Sequence, residues 1–123
     1  MKIFDVGIIG IGSYIPKGII TNENLELINP QTNHQWTKEK LGIEQRNVSN
    51  DDVYTSDLAY SASILALSDA NLNANDIDLI ILATSSPDRI SPSTACIMAE
   101  KLNVTCPAFD INAVCSGFVY GLQ

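Results

Sequence analysis

The feature that most constrains the fold of this sequence is a set of three short apolar runs separated by longer stretches with helical patterns. The runs, residues 6–12, 77–83 and 107–111, are rich in Ile, Val, Leu and Ala. A run of this length is typical of a strand buried on both faces. Strands separated by helices need crossover connections, which place the strands parallel in one sheet. The pattern therefore predicts an α/β fold, with a mostly parallel sheet and flanking helices.

Helical patterns lie on either side of the second apolar run. Residues 58–72 carry Leu and Ala at helical spacing, and Thr55 or Ser56 is a suitable N-cap for this helix. Residues 93–102 form a second helical pattern, whose apolar side chains share one face. Those side chains are Ala95, Met98, Ala99 and Leu102. Each helix fits as a connection between two parallel strands.

The region between the first and second apolar runs is more polar. Thr21 or Asn22 predicts the cap of a short helix. Thr32 begins an S/T-x-x-E/Q capping box, which predicts a second helix that stops at Gly42. Residues 43–48 then predict a short exposed strand.

Length and charge narrow the possible classes of protein. The 123 residues suit one domain, over residues 1–123. The 14 acidic residues outnumber the 7 basic residues and give a net charge of −7, which argues against a protein that coats nucleic acid or an anionic membrane. No apolar run reaches the ~18 residues of a membrane-spanning helix. We therefore expect neither nucleic acid nor membrane among the partners.

The cysteines indicate the cellular compartment. Cys96, Cys106 and Cys115 are odd in number, and no C-x-x-C motif occurs. This argues against a secreted disulfide framework and against a zinc site. We expect a reducing, cytoplasmic environment and no bound metal.

Glycines in the first apolar run raise the possibility of a nucleotide loop. Gly7, Gly10 and Gly12 only loosely resemble the G-x-G-x-x-G fingerprint, because Ile15 stands where the third glycine would be. Pro16 also interrupts the helix that would receive a pyrophosphate. The alternative is that these glycines allow close packing against a neighbouring strand.

The loop over residues 84–92 joins the second apolar run to the following helix. Asp88 and Arg89 stand between Pro87 and Pro92. This arrangement predicts a local ion pair on an exposed loop, which contributes little to stability.

Cys115 is the strongest candidate for chemistry. It follows the third apolar run and precedes a helical segment, which places it at the carboxyl edge of the sheet, where open α/β proteins hold their sites. Ala113, Ser116 and Gly117 are small and let a substrate carbonyl approach backbone N–H groups. The alternative is a buried, inert cysteine, the usual state of this residue.

Two further residues are candidates for binding or proton transfer. Trp36, with Lys38, Lys40 and Arg46 nearby, offers an aromatic face and cations that could bind an adenine and its phosphates. The alternative is that Trp36 is a half-buried anchor and the lysines are solvated.

His34 is the only histidine of the sequence and hence a candidate base for a cysteine. The alternative is a solvated side chain at the start of a helix.

Several motifs together resemble β-ketoacyl-acyl carrier protein synthase III, the initiating condensing enzyme of type II fatty acid synthesis. The segment DINAVCSGF, residues 110–118, resembles the active-site segment of this family. The other matching segments, in chain order, are GIIGIGSYIP (7–16), WTKEKLGIEQR (36–46), LIILATSS (79–86), PSTAC (92–96) and CPAF (106–109). The resemblance covers the whole chain and implies a thiolase-like fold.

The resemblance implies a role for five residues. Cys115 matches the nucleophile that takes an acyl group from a coenzyme A thioester, and Trp36 matches the tryptophan that stacks on the adenine. Lys40 stands where the family commonly has Arg, whose planar fork it lacks. Thr32 falls near a position that contacts the coenzyme. Ser91 replaces a bulky residue of the acyl pocket, which hints at a longer primer.

The family's His and Asn, which complete the catalytic triad, belong to the second half of a chain more than twice this length. The resemblance is therefore to the N-terminal half of a duplicated fold, and we expect residues 1–123 to stop within the nucleophile helix and to be inactive alone in condensation. It implies acyl-CoA, such as acetyl-CoA, and malonyl-acyl carrier protein as substrates, a homodimer, and no permanently bound cofactor. The alternatives are a hydroxymethylglutaryl-CoA synthase, a secondary-metabolite synthase, or a non-catalytic half-fold that serves as an interaction module.

Overall fold

The computed structural model describes residues 6–123 of the chain. The chain divides into two compact units. The small unit is Ile15–Val53, and the large unit combines the residues up to Tyr14 with Tyr54–Gln123. Within residues 6–123, no helix is both long and apolar enough to cross a membrane.

The small unit is a two-stranded sheet with two helices between its strands. Its elements are β1 (Gly18–Thr21), α1 (Asn22–Ile28), α2 (His34–Leu41) and β2 (Gln45–Val48). The strands are antiparallel and pair Gly18 with Val48 and Thr21 with Gln45. The short exposed strand predicted near β2 is therefore present, with its start at Gln45.

The helix caps of the small unit follow side-chain chemistry closely. Thr21 caps α1, as predicted, and its hydroxyl accepts from the N–H of Asn24. The cap of α2 is Asn33, whose Oδ1 accepts from the N–H of Trp36 at 2.7 Å. The predicted capping box at Thr32 is thus wrong by one residue, because the Thr32 hydroxyl donates to the carbonyl of Asn29 instead. The helix stops at Gly42, whose φ of 68° is the left-handed conformation expected there.

The large unit contains the parallel strand pair. Its elements are α3 (Thr55–Ala70), β3 (Ile80–Ala83), α4 (Thr94–Leu102), β4 (Ala108–Ile111) and α5 (Gly117–Leu122), with 3₁₀ turns at Ala74–Asp76 and Val114–Ser116. β3 and β4 run parallel, and their register pairs Ile80 with Ala108 and Ala83 with Ile111. The helix α4 connects them, as the alternation of apolar runs and helices predicts.

The core of the large unit lies where α4 packs against α3, β3 and β4. Its buried apolar residues are Ile80, Ala95, Met98, Ala99 and Leu102. Four of these five come from the predicted apolar face of α4. Because complete burial of a Leu or Met side chain contributes about 1.5–3 kcal/mol, this face holds α4 on the strand pair.

The start of α3 differs from the expectation. The N-cap is Tyr54, and its backbone N–H donates to Oδ2 of Asp57 at 2.9 Å. Thr55 and Ser56, the predicted caps, lie within the helix, and Ser56 is buried. Asp57 also pairs with Lys101 of α4, and this hydrogen bond holds the pKa of the Asp57 carboxyl below its usual range.

The apolar run at residues 6–12 is not the buried strand that its composition predicts. No strand is assigned to it, and side chains such as Val6 and Ile9 are exposed. Gly10 and Gly12 pack against a helix and not a strand, since a Cβ on Gly10 would lie 2.5 Å from the carbonyl oxygen of Ala66 in α3, and one on Gly12 would lie 2.2 Å from that of Ala62. Composition reports strand propensity, but a strand also needs a hydrogen-bonding partner, which this run lacks among the described residues.

Candidate active site

Cys115 lies at the carboxyl edge of the parallel strand pair. β4 ends at Ile111, and the 3₁₀ turn Val114–Ser116 connects it to α5, which begins at Gly117. The thiol of Cys115 is exposed and is not part of a disulfide. This is the position that the sequence predicts for it, and the edge of an α/β sheet where ligands bind.

The turn that carries Cys115 has an unusual backbone. Val114 has a φ of 46°, in the left-handed region that β-branched residues avoid. Gly117 is buried, and a Cβ there would lie 3.1 Å from Cβ of Ala83. The N–H of Ser116 donates to the carbonyl of Ala113 at 2.9 Å, which closes the turn. Residues in sparsely populated conformations persist where the surrounding structure fixes them, and they cluster at functional sites.

A cavity of about 430 Å³ opens beside Cys115. Its other lining includes Ile81, Ala83, Val114, Phe118 and Leu122. These side chains are apolar, so the thiol is the chemically reactive group of the cavity wall. An apolar cavity with one nucleophile suits a substrate that has an acyl chain and a reactive carbonyl.

The other residues that the sequence singled out lie in both units. Ser91 is exposed in the loop between β3 and α4 of the large unit, the same unit as Cys115. Trp36 and Lys40 are on α2 of the small unit, and Thr32 precedes that helix. Trp36 is 54% exposed, so its ring is available for stacking. Lys40 follows Trp36 by one helical turn, which places both on one face of α2.

His34 begins α2 and contacts Glu26 of α1 through its Nδ1 atom. The hydrogen bond to the Glu26 carboxylate raises the pKa of His34 above its usual value. The side chain is half-exposed, as expected for a residue at the start of a helix. Its partner is thus a carboxylate within the small unit.

Asp88 and Asp110 are positioned by contacts that the sequence did not indicate. Asp88 accepts from the N–H of Ser56, at the start of α3, at 3.0 Å. Its predicted ion pair with Arg89 is absent from the described part of the chain, since the Asp88 carboxylate binds the start of α3 instead.

Asp110 accepts from the N–H groups of Thr94 and Ala95 at 2.8 and 2.7 Å. These partners are distant in sequence, and the only sequence signal was the place of Asp110 in the motif around Cys115.

The described residues contain no group of three or more His, Cys, Asp and Glu side chains that could hold a metal ion. The remaining thiols are separate from the site. Cys96 is exposed on α4, where its Sγ lies 3.1 Å from Oγ of Ser93, and Cys106 is half-buried before β4.

Comparison with known proteins gives the strongest information about the family. No protein-family model matches the chain. Over 118 residues, 94% of this chain, the sequence is 51% identical to the β-ketoacyl-[acyl-carrier-protein] synthase III of Thiobacillus denitrificans. The match therefore covers nearly the whole of the present chain. A crystal structure of 3-oxoacyl-[acyl-carrier-protein] synthase III from Aquifex aeolicus matches it with a TM-score of 0.84 and 42% identity, over 94% of this chain and 37% of that one.

The comparisons confirm the resemblance to synthase III and the α/β, thiolase-like fold class. A crystal structure of Xanthomonas campestris OleA also matches, with a TM-score of 0.82 over 94% of this chain and 38% of that one, but at only 28% identity. The fold is therefore shared more widely than the sequence, and the sequence favours the synthase. The chain spans about 37% of the length of the Thiobacillus denitrificans synthase.

Proposed function

We propose that this sequence supplies the acyl-accepting part of a β-ketoacyl-acyl carrier protein synthase III, an acyltransferase that initiates type II fatty acid synthesis. The observation that carries the proposal is the 51% identity to a named synthase together with an exposed cysteine on a strained turn, beside an apolar cavity. Both observations are needed, because other proteins share this fold and because an exposed thiol is common in proteins of many functions.

The first step is transfer of an acyl group, such as acetyl, to Cys115. The Cys115 thiolate attacks the carbonyl carbon of an acyl-CoA, and a new carbon–sulfur bond forms. The bond between that carbon and the coenzyme A sulfur breaks, and coenzyme A leaves as a thiolate that takes up a proton. The N–H groups of Ser116 and Gly117 already donate to the carbonyls of Ala113 and Val114 in the 3₁₀ turn, so we do not assign the oxyanion to these two groups.

The second step is condensation. Malonyl-acyl carrier protein loses carbon dioxide, and the electron pair of the broken carbon–carbon bond forms a carbanion. The carbanion attacks the acyl carbon on Cys115, and the cysteine leaves as a thiolate, which yields the β-ketoacyl product. The His and Asn that the resemblance assigns to this step are not among these 123 residues, so condensation belongs to the whole protein.

Coenzyme A binding is assigned to α2 and the residues before it. The exposed ring of Trp36 is available to stack on adenine, and Lys40, on the same helix face, offers a positive charge for a phosphate. Thr32 lies one residue before the cap of α2, where its hydroxyl is bonded to Asn29. Ser91 is assigned to the acyl pocket. In this proposal the coenzyme is a substrate and no cofactor stays bound, the enzyme is a cytoplasmic homodimer, and malonyl-acyl carrier protein is the second substrate.

The alternative functions are less well supported. A hydroxymethylglutaryl-CoA synthase or a secondary-metabolite synthase would share the fold, but the comparisons favour synthase III by sequence. A non-catalytic interaction module would have no need of the strained turn at Cys115.

The test is mass spectrometry of the full-length protein after incubation with acetyl-CoA. We expect one acetyl group on the peptide that contains Cys115. Cys115→Ala should abolish the adduct, whereas Cys96→Ala, which removes another exposed thiol, should keep it. An unmodified wild-type Cys115, or an adduct that survives Cys115→Ala, would contradict the proposal. Addition of malonyl-acyl carrier protein should then release the acetyl group as a β-ketoacyl product.

A further inference from the structure

A chain of hydrogen bonds connects the starts of two helices to the strand before Cys115. The N–H of Ser56 in α3 donates to Oδ1 of Asp88 at 3.0 Å, and the N–H of Asp88 donates to Oγ1 of Thr94 at 3.0 Å. The N–H of Thr94 donates to Oδ2 of Asp110 at 2.8 Å. The N–H of Ala95 donates to Oδ1 of the same carboxylate at 2.7 Å. Asp110 thus binds the first two N–H groups of α4 with its two oxygens.

The backbone donors at the two helix starts are shielded from water, and the side chains of Asp88 and Asp110 that they contact are half-buried. Thr94 and Ala95 have exposed fractions of 0%, and Ser56 has an exposed fraction of 1%. Hydrogen bonds to an ionised carboxylate are shorter and roughly twice as strong as those between neutral groups. The helix dipole also favours a negative charge at the start of α4. The contact between Asp110 and α4 therefore links β4 to the start of this helix through two charge-assisted hydrogen bonds.

Asp110 is close to the end of β4, just before the turn that carries Cys115. It pairs with Leu82 in the strand register. The residues that follow it are held to the end of β3, because the N–H of Thr84 donates to the carbonyl of Ile111 and Oγ of Ser85 donates to Oδ1 of Asn112 at 3.1 Å. The end of β4 is thus fixed by α4 on one side and by the β3 end on the other.

We propose that Asp110 is a positioning residue for Cys115, with the Ser85–Asn112 bond as a second support. The inference rests on the proposed function of Cys115 as acyl acceptor. Asp110 acts through the backbone, because it sets where β4 ends and hence where the strained turn presents the thiol. Without it, Cys115 spends less time in the geometry for attack, and the chemical step slows. Binding of coenzyme A is assigned to the small unit and should be little changed.

Asp110→Asn in the full-length protein tests this directly. The variant keeps the size of the side chain but replaces one of its two acceptor oxygens by an NH₂ group that faces a backbone N–H. We expect the acylation rate at saturating acetyl-CoA to fall about 10- to 100-fold. The half-saturating concentration should change less than about twofold, which separates a positioning role from a loss of binding.

Asp76→Asn is the matched control. Asp76 also lies in the large unit, and its Oδ2 accepts from the N–H of Asn73 at 2.8 Å. This contact belongs to the 3₁₀ turn Ala74–Asp76 and not to the turn that carries Cys115. It should acylate at the wild-type rate. Ser85→Ala is a second, milder variant at an exposed position, and it should slow acylation without a change in half-saturation.

The outcomes separate the two proposals. A wild-type protein that takes no acetyl group contradicts the proposed function itself. If the wild type is acylated, a folded Asp110→Asn variant with the wild-type rate overturns only the positioning role. If Asp110→Asn does not fold, Ser85→Ala decides: slower acylation with unchanged half-saturation supports the role, and a wild-type rate overturns it.

Discussion

Val114 shows how much the Cys115 turn depends on its surroundings. Its φ of 46° is disfavoured for a β-branched side chain, and its side chain is 75% exposed, so its own packing offers little compensation. The strain is instead held by neighbouring contacts, such as the close approach of Gly117 to Ala83. A residue pattern cannot reveal such strain, because it arises only once β4 and α5 are both in place.

At the same scale, the contact between His34 and Glu26 predicts a pH dependence. The hydrogen bond to the Glu26 carboxylate raises the pKa of His34, so the folded state holds the proton more tightly than the unfolded state. This contribution to stability is complete below the unfolded pKa of about 6.5, and it is lost as pH rises through the higher folded value. His34 is the only histidine among these 123 residues, so NMR of residues 1–123 follows its imidazole without overlap.

The experiment compares the imidazole titration of the wild type with two Glu→Gln variants. Glu26→Gln should bring the pKa of His34 back toward its usual value. Glu39→Gln is the control, because Glu39 lies on the same helix as His34 but contacts Gln35. A wild-type titration that matches that of Glu26→Gln would show that the pair does not form.

Among the elements, α4 was predictable and the first apolar run was not. The spacing of Ala95, Met98 and Leu102 fixes one face of a helix, and burial of that face is a local consequence of the pattern. The run at residues 6–12 has strand composition, but its conformation is decided by a distant partner, α3. The contacts of Asp110 are likewise long-range, so the sequence located the Cys115 turn but not its support.

The packing of that run against α3 gives a prediction about stability. A Cβ on Gly12 would lie 2.2 Å from the carbonyl oxygen of Ala62 and 2.3 Å from the N of Ala66, both backbone atoms. Because backbone cannot rotate away, Gly12→Ala should lower the free energy of unfolding by about 1–3 kcal/mol. Gly7→Ala is the matched control, since a Cβ there meets nothing within 4 Å, and it should change the stability by less than about 0.5 kcal/mol. Urea unfolding of the full-length protein measures both, and equal stabilities would contradict this packing.

For the molecule as a whole, the most informative feature is apolar surface on the large unit. Ile11, Phe118 and Leu122 have exposed fractions of 72%, 68% and 59%, and they line one cavity of about 360 Å³. Soluble monomers rarely expose contiguous apolar patches beyond a few hundred Å². The described sheets are also two-stranded, and strand pairs of this size are marginal without further packing. Ile11 contributes to this apolar surface from the first apolar run, and Phe118 and Leu122 contribute to it from α5. The surface therefore predicts that copies of residues 1–123 associate with one another.

We expect residues 1–123, purified alone, to bind the dye ANS and to sediment as a concentration-dependent mixture larger than a monomer. Ile11→Lys places a charge within the patch, so it should weaken both signals. Ile90→Lys is the matched control, because Ile90 is 98% exposed on the loop before α4 and does not line this cavity. The same charge added there should leave dye binding and sedimentation unchanged, since a single exposed apolar side chain is ordinary for a protein surface. A monomer that binds no dye, or equal effects of the two substitutions, would show that the patch does not drive association.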